Sequence, residues 1–245
     1  MTMAVWLSIL TLMISAAFAA DAEQFVVVES SAADVPIGKE LSPGAPISVP
    51  DSARVVLVGS SGQVVTLTGP FQGVPKADAP GEPQSRVFEA IASLAARSGT
   101  TMGVSRAAGP NWRAAAARKP DDVFAVDATE GGDTCLYDLS KARLTRDPSA
   151  PPGETKIQAM ESQAAATIAW KQGAAYMPWP RQVPLADGGS YLIEQAGQES
   201  AAVATVHLLR SDPAMTGVQR AALLAEKGCD AQARLLLAII ARPAP

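Results

Sequence analysis

The stretch from Met3 to Ala20 carries no charged residue and is dominated by Leu, Ile, Val, Phe and Ala. It closes on Ala17-Phe18-Ala19, a small-x-small triplet, and Asp21 and Glu23 follow at once. That is the layout of a secretory signal peptide over residues 1–19, cleaved after Ala19. The amino-terminal flank holds no Lys or Arg, so an uncleaved membrane anchor is the competing reading; a run of this length barely spans a bilayer. Either way the rest of the chain is expected in an oxidising space, periplasmic or secreted. The later apolar run Leu235 to Ile240 is far too short to span, so no stable membrane insertion is expected after cleavage.

An oxidising compartment changes the meaning of the two cysteines, Cys135 and Cys229. An even pair there invites a disulfide, and two cysteines allow one intramolecular connectivity. Two buried free thiols are the alternative. A metal site is not expected, because zinc wants four ligands and the chain has a single histidine. No cofactor motif is present either. With 48% hydrophobic and 18% charged residues the chain can bury a core. Its net charge of −4 and the absence of a basic stripe argue against nucleic acid and anionic lipid as partners.

Strand signals open the mature part. Gln24 to Ser30 is rich in β-branched residues, and Ala53 to Gly59 and Gln63 to Thr68 flank the turn formers Ser60-Ser61-Gly62, which predicts a hairpin. Gly69-Pro70 stops the second strand. The segment Ile47-Ser48-Val49-Pro50-Asp51-Ser52-Ala53-Arg54-Val55-Val56-Leu57-Val58, continued by Ser61 to Pro70, resembles the strand, glycine turn, strand, Gly-Pro rhythm of FecR-like periplasmic β modules. The resemblance covers at most Gln24 to Pro75. It implies a periplasmic setting and a β module that makes contacts. Better-known members of that family signal to a cytoplasmic sigma factor. The sequence is not read as carrying a cytoplasmic helical domain ahead of its apolar segment, so that role is not expected to carry over.

Pro75 to Pro83 reads as a linker. Val87, Phe88, Ile91, Leu94 and Ala95 then fall on one helical face between Ser85, a suitable N-cap, and Gly99. Residues 100–122 show little periodicity. Strands are expected at Val123–Val126, at Thr134–Tyr137 and at Ala142–Thr145, the last two able to pair. Residues 155–170 fit a helix loosely, but Ala166, Ile168 and Trp170 alternate and the flanks are Pro/Gly clusters, which favours two strands near 155–160 and 165–170. Ser190–Glu194 and Ala202–Arg210 are strands around Gly197. Thr216-x-x-Gln219 is a capping box, Gly228 a stop, and Asp230 a cap for a last helix. Trp170-Lys171-Gln172-Gly173, Pro178-Trp179-Pro180, Asp187-Gly188-Gly189-Ser190-Tyr191 and Lys227-Gly228-Cys229-Asp230 resemble uncharacterised bacterial exported proteins that carry such a module behind a FecR-like start.

The catalytic inventory is thin. His207 lies in the strand-like run Val206-His207-Leu208-Leu209, where a half-buried strand histidine is the default over a catalytic base. A nucleophile elbow, a P-loop and a His-Glu-x-x-His motif are all missing from the sequence. Asp121, Asp122, Asp127, Glu130 and Asp133 form an acidic stretch without the ligand spacing of a calcium loop. Trp170, Tyr176, Trp179 and Tyr191 lie close together in sequence, and Trp170, Tyr176 and Trp179 form a candidate binding surface if they face outward; otherwise Trp170 and Tyr191 fill the core and Trp179, held between Pro178 and Pro180, plugs an edge.

The expected architecture is mainly β: a small FecR-like β domain (20–75), a linker with one helix (76–118), and a β-sandwich-like domain (119–245) with a C-terminal helical pair. The expected function is that of a non-enzymatic exported binding or scaffold protein of the bacterial envelope, its partner an envelope protein or glycan. An envelope sensor and a cell-wall glycan hydrolase using acidic residues are the alternatives.

Overall fold

A computed structural model describes residues 23–77, 83–100, 123–210 and 212–242. The segment 1–19 expected to be a signal peptide and residues 101–122, with Asp121 and Asp122 of the acidic stretch, lie outside the described residues.

The fold is mainly β, with several sheets and three helices among the described residues. Strands β1 (Phe25–Ser30), β2 (Glu40–Leu41), β3 (Ile47–Val49), β4 (Arg54–Gly59), β5 (Val64–Thr68) and β6 (Phe71–Gly73) come first. They make an antiparallel sheet in the order β2-β1-β4-β5 and a separate pair, β3 with β6. The apolar runs of β1 and β4 are nearly continuous because both faces of each strand are covered. Phe25, Val27, Val55 and Leu57 meet Ile47, Val49 and Leu67 on one side. Val26 and Val58 meet helices on the other. The predicted hairpin is β4–β5, with Gly62 at φ +79° in its turn. Gly69 ends β5 where only a glycine fits, since a Cβ there would come within 1.8 Å of the Pro50 carbonyl oxygen.

The start of the described chain is fastened to that hairpin. The Ser61 backbone N–H donates to Glu23 Oε1 at 2.9 Å, the Ser61 hydroxyl donates to the same oxygen, and Ser60 N–H donates to the Gln24 carbonyl.

Helix α1 (Ser85–Thr100) follows. Its apolar stripe, Phe88, Ile91, Leu94 and Ala95, is buried. Ser85 is its first residue and not its cap: Phe88 N–H bonds to the Gln84 carbonyl, so Gln84 holds the N-cap position. It also runs through Gly99 to Thr100, past the expected stop.

The second half contains β7 (Val126–Asp127), β8 (Gly132–Leu136), β9 (Arg143–Thr145), β10 (Gly153–Ala159), β11 (Ala165–Trp170), β12 (Tyr176–Pro178), β13 (Ser190–Gln195) and β14 (Ala202–Leu208). A five-stranded sheet, β11-β10-β13-β14-β8, packs on a three-stranded one, β12-β9-β7. Residues 155–170 are the hairpin β10–β11 and not a helix. Gln163 takes φ +57° in its turn, donating to the Met160 carbonyl and accepting from Gln158.

The strand expected at Val123–Val126 is confined to Val126–Asp127. The segments around 134–137 and 142–145 do not pair. β8 runs parallel to β14, while β9 crosses to the other sheet between β12 and β7. The Asp138-capped 3-10 turn Leu139–Lys141 redirects the chain, so Leu136 and Leu144 meet from opposite layers of one core.

Helices α2 (Gly217–Glu226) and α3 (Asp230–Ile240) close the chain. The expected capping box opens α2: Thr216 N–H donates to Gln219 Oε1, and Gln219 N–H donates to Thr216 Oγ1. Asp230 does not cap α3. Cys229 holds that position without a side-chain bond, and the Asp230 carboxylate instead takes two 2.8 Å hydrogen bonds from Arg97 at the end of α1. One apolar cluster joins Val26 and Val58, all three helices and Cys135 of β8. The helices therefore lie between the first sheet and the covered end of the second. No helix among the described residues is long and apolar enough to cross a membrane.

Candidate functional site

Cys135 and Cys229 are bonded, with Cα atoms 6.0 Å apart and both side chains fully buried. The bridge ties the α2–α3 junction to β8.

Trp170, Tyr176 and Trp179 do not form an outward surface; the alternative, with Trp170 in the core and Trp179 packed inward, is what the structure shows. Trp170 is 3% exposed and Trp179 9%. The Trp170 indole N–H donates to Thr155 Oγ1 at 3.0 Å, and the Arg146 guanidinium lies 4.6 Å above its ring. The Trp179 indole N–H donates to the Val183 carbonyl at 2.7 Å, and its ring meets Tyr191 edge-on at 5.1 Å. The Tyr191 hydroxyl donates to the Pro184 carbonyl and accepts from Ala186 N–H. Tyr176 is half-buried beneath Arg143. The Pro-rich loop folds inward because the three-stranded sheet is small and needs these rings to fill the core.

His207 sits on β14 opposite Cys135, as a partly exposed strand residue. Its Nε2 is 2.8 Å from Asp133 Oδ1 on β8. The pair links two parallel strands and is an ion pair when the imidazole is protonated. On the same face the hydroxyls of Ser190 and Thr205 are 3.3 Å apart. Asp127 accepts from the N–H groups of Thr129 and Glu130, which folds the acidic loop on itself. No group of three metal-ligating residues is found among the described residues.

Between α1 and α2 lie two adjoining open depressions of about 430 and 310 Å3, sharing Arg86 and Glu226. Val87 and Leu223 floor the larger one, and both signs of charge rim it.

The sheet edges differ in a way that composition could not reveal. At β8 the edge is closed: Gln232 of α3 accepts from Cys135 N–H at 2.6 Å and donates to the Cys135 carbonyl at 3.0 Å, as a neighbouring strand would. At β5 and β11 the edges are open among the described residues. Gly59 N–H donates to the Gln63 carbonyl, so Val65 and Leu67 face β4 and Val64, Thr66 and Thr68 aim their backbone groups outward. Neither β5 nor β11 contains a charge or a proline, the usual devices that blunt an edge. Sequence reading finds such strands but cannot say which lie at an edge. That requires the pairing order.

Comparison with family models, with curated proteins and with solved structures finds no match.

Proposed function

We propose that this chain is a non-enzymatic binding or scaffold protein of the bacterial envelope, exported by the segment 1–19 and holding a partner protein by strand addition to its first β module. One observation carries the reading: the uncharged edge of β5, open among the described residues, whose Val64, Thr66 and Thr68 offer outward backbone donors and acceptors. Main-chain hydrogen bonding from an added strand supplies affinity, and the exposed threonines set which side chains fit alongside. The FecR-like look of residues 24–75 and the buried Cys135–Cys229 bond agree with an oxidising, extracytoplasmic setting. Trp179, packed inward, takes no part in this contact.

The test is capture of partners by tagged mature chain from a cross-linked envelope fraction of its host. Thr66 is exposed, so Thr66→Lys charges the edge without disturbing the core. The reading expects a defined partner with wild type and at least a tenfold lower yield with Thr66→Lys. Equal recovery with both proteins, or none with wild type, removes it.

A further inference from the structure

The edge at β11 is a separate matter and does not depend on the role given to β5. Ala159 N–H donates to the Ala164 carbonyl, and Ala196 N–H to the Glu154 carbonyl. These bonds fix which way each residue's backbone groups point. Ala166 and Ile168 direct theirs to β10. Ala165, Thr167 and Ala169 direct theirs away from the sheet.

We infer that β11 is the self-association site of this protein, pairing antiparallel with β11 of a second copy about a two-fold axis at Thr167, so that the two five-stranded sheets become one. Three features select a second copy as the occupant. A two-fold axis perpendicular to a sheet sets Thr167 against its own copy and Ala165 against Ala169, and these are the residues whose backbone groups point outward. Every open donor and acceptor of the strand finds a partner in that register, and threonine opposite threonine is a favourable cross-strand pair.

Charge is the second feature. On such an axis a charged residue meets its like, and β11 has none from Ala165 to Trp170. The nearest charges are Glu161 before it and Lys171 after it, both exposed and neither in an ion pair among the described residues. Antiparallel pairing brings the Glu161 end of each copy alongside the Lys171 end of the other. β5 has no such pair of opposite flanking charges; the residues from Ser60 to Gln63 before it are uncharged.

The third feature is the core. Ala166 and Ile168 are only partly buried although they pack on the apolar cluster of the second half. In the Thr167 register Ala166 lies opposite Ile168 of the other copy, on the inner face, and the core continues across the axis.

The test uses the mature, disulfide-bonded chain. Sedimentation velocity from micromolar to submillimolar protein should show a monomer–dimer equilibrium. Thr167 is exposed, so Thr167→Lys keeps the fold, which the thermal unfolding midpoint checks, and should weaken dimerisation about tenfold or more by setting two ammonium groups together. With no free cysteine in the protein, Thr167→Cys introduces a single thiol. Directly opposed hydrogen-bonded residues have Cα atoms about 5.5 Å apart, within disulfide range. Oxidation should convert Thr167→Cys to a covalent dimer while Thr66→Cys on β5 stays monomeric. A wild type that remains monomeric throughout overturns the inference. So does a dimer that survives Thr167→Lys, or cross-linking no greater at 167 than at 66.

Discussion

Arg146 shows how one side chain holds two loops. It is buried, and no carboxylate among the described residues lies against it; its guanidinium donates to the carbonyls of Pro151 at 2.9 Å, Lys171 at 3.3 Å and Ala174 at 3.5 Å, over the face of Trp170. Burial lowers its pKa from the ordinary arginine value, but arginine stays charged at any working pH. Arg146→Met keeps the apolar stem and leaves those carbonyls without a donor. We expect a loss of about 2–4 kcal/mol in urea denaturation; a loss below about 0.5 kcal/mol would show that water replaces the guanidinium at no cost. A second residue-scale effect concerns pH. The Ser140 hydroxyl, then the Ser140 N–H, hold the Asp138 carboxyl below the ordinary range. A depressed folded-state pKa means that the contribution is present above the unfolded value and is lost as pH falls through the folded one. Carbonyl NMR should place the Asp138 midpoint below that of a free aspartate, and Ser140→Ala should return it toward that value. An unmoved midpoint would remove the Ser140 hydroxyl as the cause.

Elements were legible where local signals were strong. The β4–β5 hairpin, the β13–β14 hairpin and the α2 capping box lie where their turn and cap residues put them. The β10–β11 hairpin was separable from a helix because Ala166, Ile168 and Trp170 alternate. Pairing partners were less legible. Nothing local tells Cys135's strand to run parallel to β14 while Leu144's strand, a short turn away, joins the other sheet. Gln232 was invisible for the same reason, since its partner Cys135 is distant in sequence. The disulfide was legible through the cysteine count and the expected compartment. It closes a separation of 94 residues, and chain-entropy accounting gives it about 4–5 kcal/mol. Replacing both Cys135 and Cys229 by Ala should lower the unfolding free energy by roughly that amount, read from denaturant midpoints at low protein concentration. A change under about 1 kcal/mol would mean that the helical layer alone fixes the reduced chain's geometry. The Arg97–Asp230 pair, in contrast, is half-exposed and contributes at most about 1 kcal/mol.

At the scale of the molecule, the runs QFVVVES and ARVVLVG carried more information than strand propensity alone. A strand covered on one face alternates; these do not, because helices cover the second face. Gln84 joins the parts by donating to the Ser61 carbonyl at the β4–β5 turn and accepting from Gln219 of α2, and Arg54 of β4 donates to the Ala241 carbonyl after α3. The candidate site was the least legible level. Aromatic residues close in sequence suggested a surface, but whether a ring faces in or out depends on the sheet it caps. Which strands end a sheet depends on the whole pairing order. The account rests on delivery of this chain to an oxidising compartment, and the most direct measurement is the intact mass of the native protein from its host after thiol alkylation without reductant. The account predicts a chain beginning after Ala19, lighter by the two thiol hydrogens and carrying no alkyl group. A full-length mass from Met1 with Cys135 and Cys229 both alkylated would contradict it.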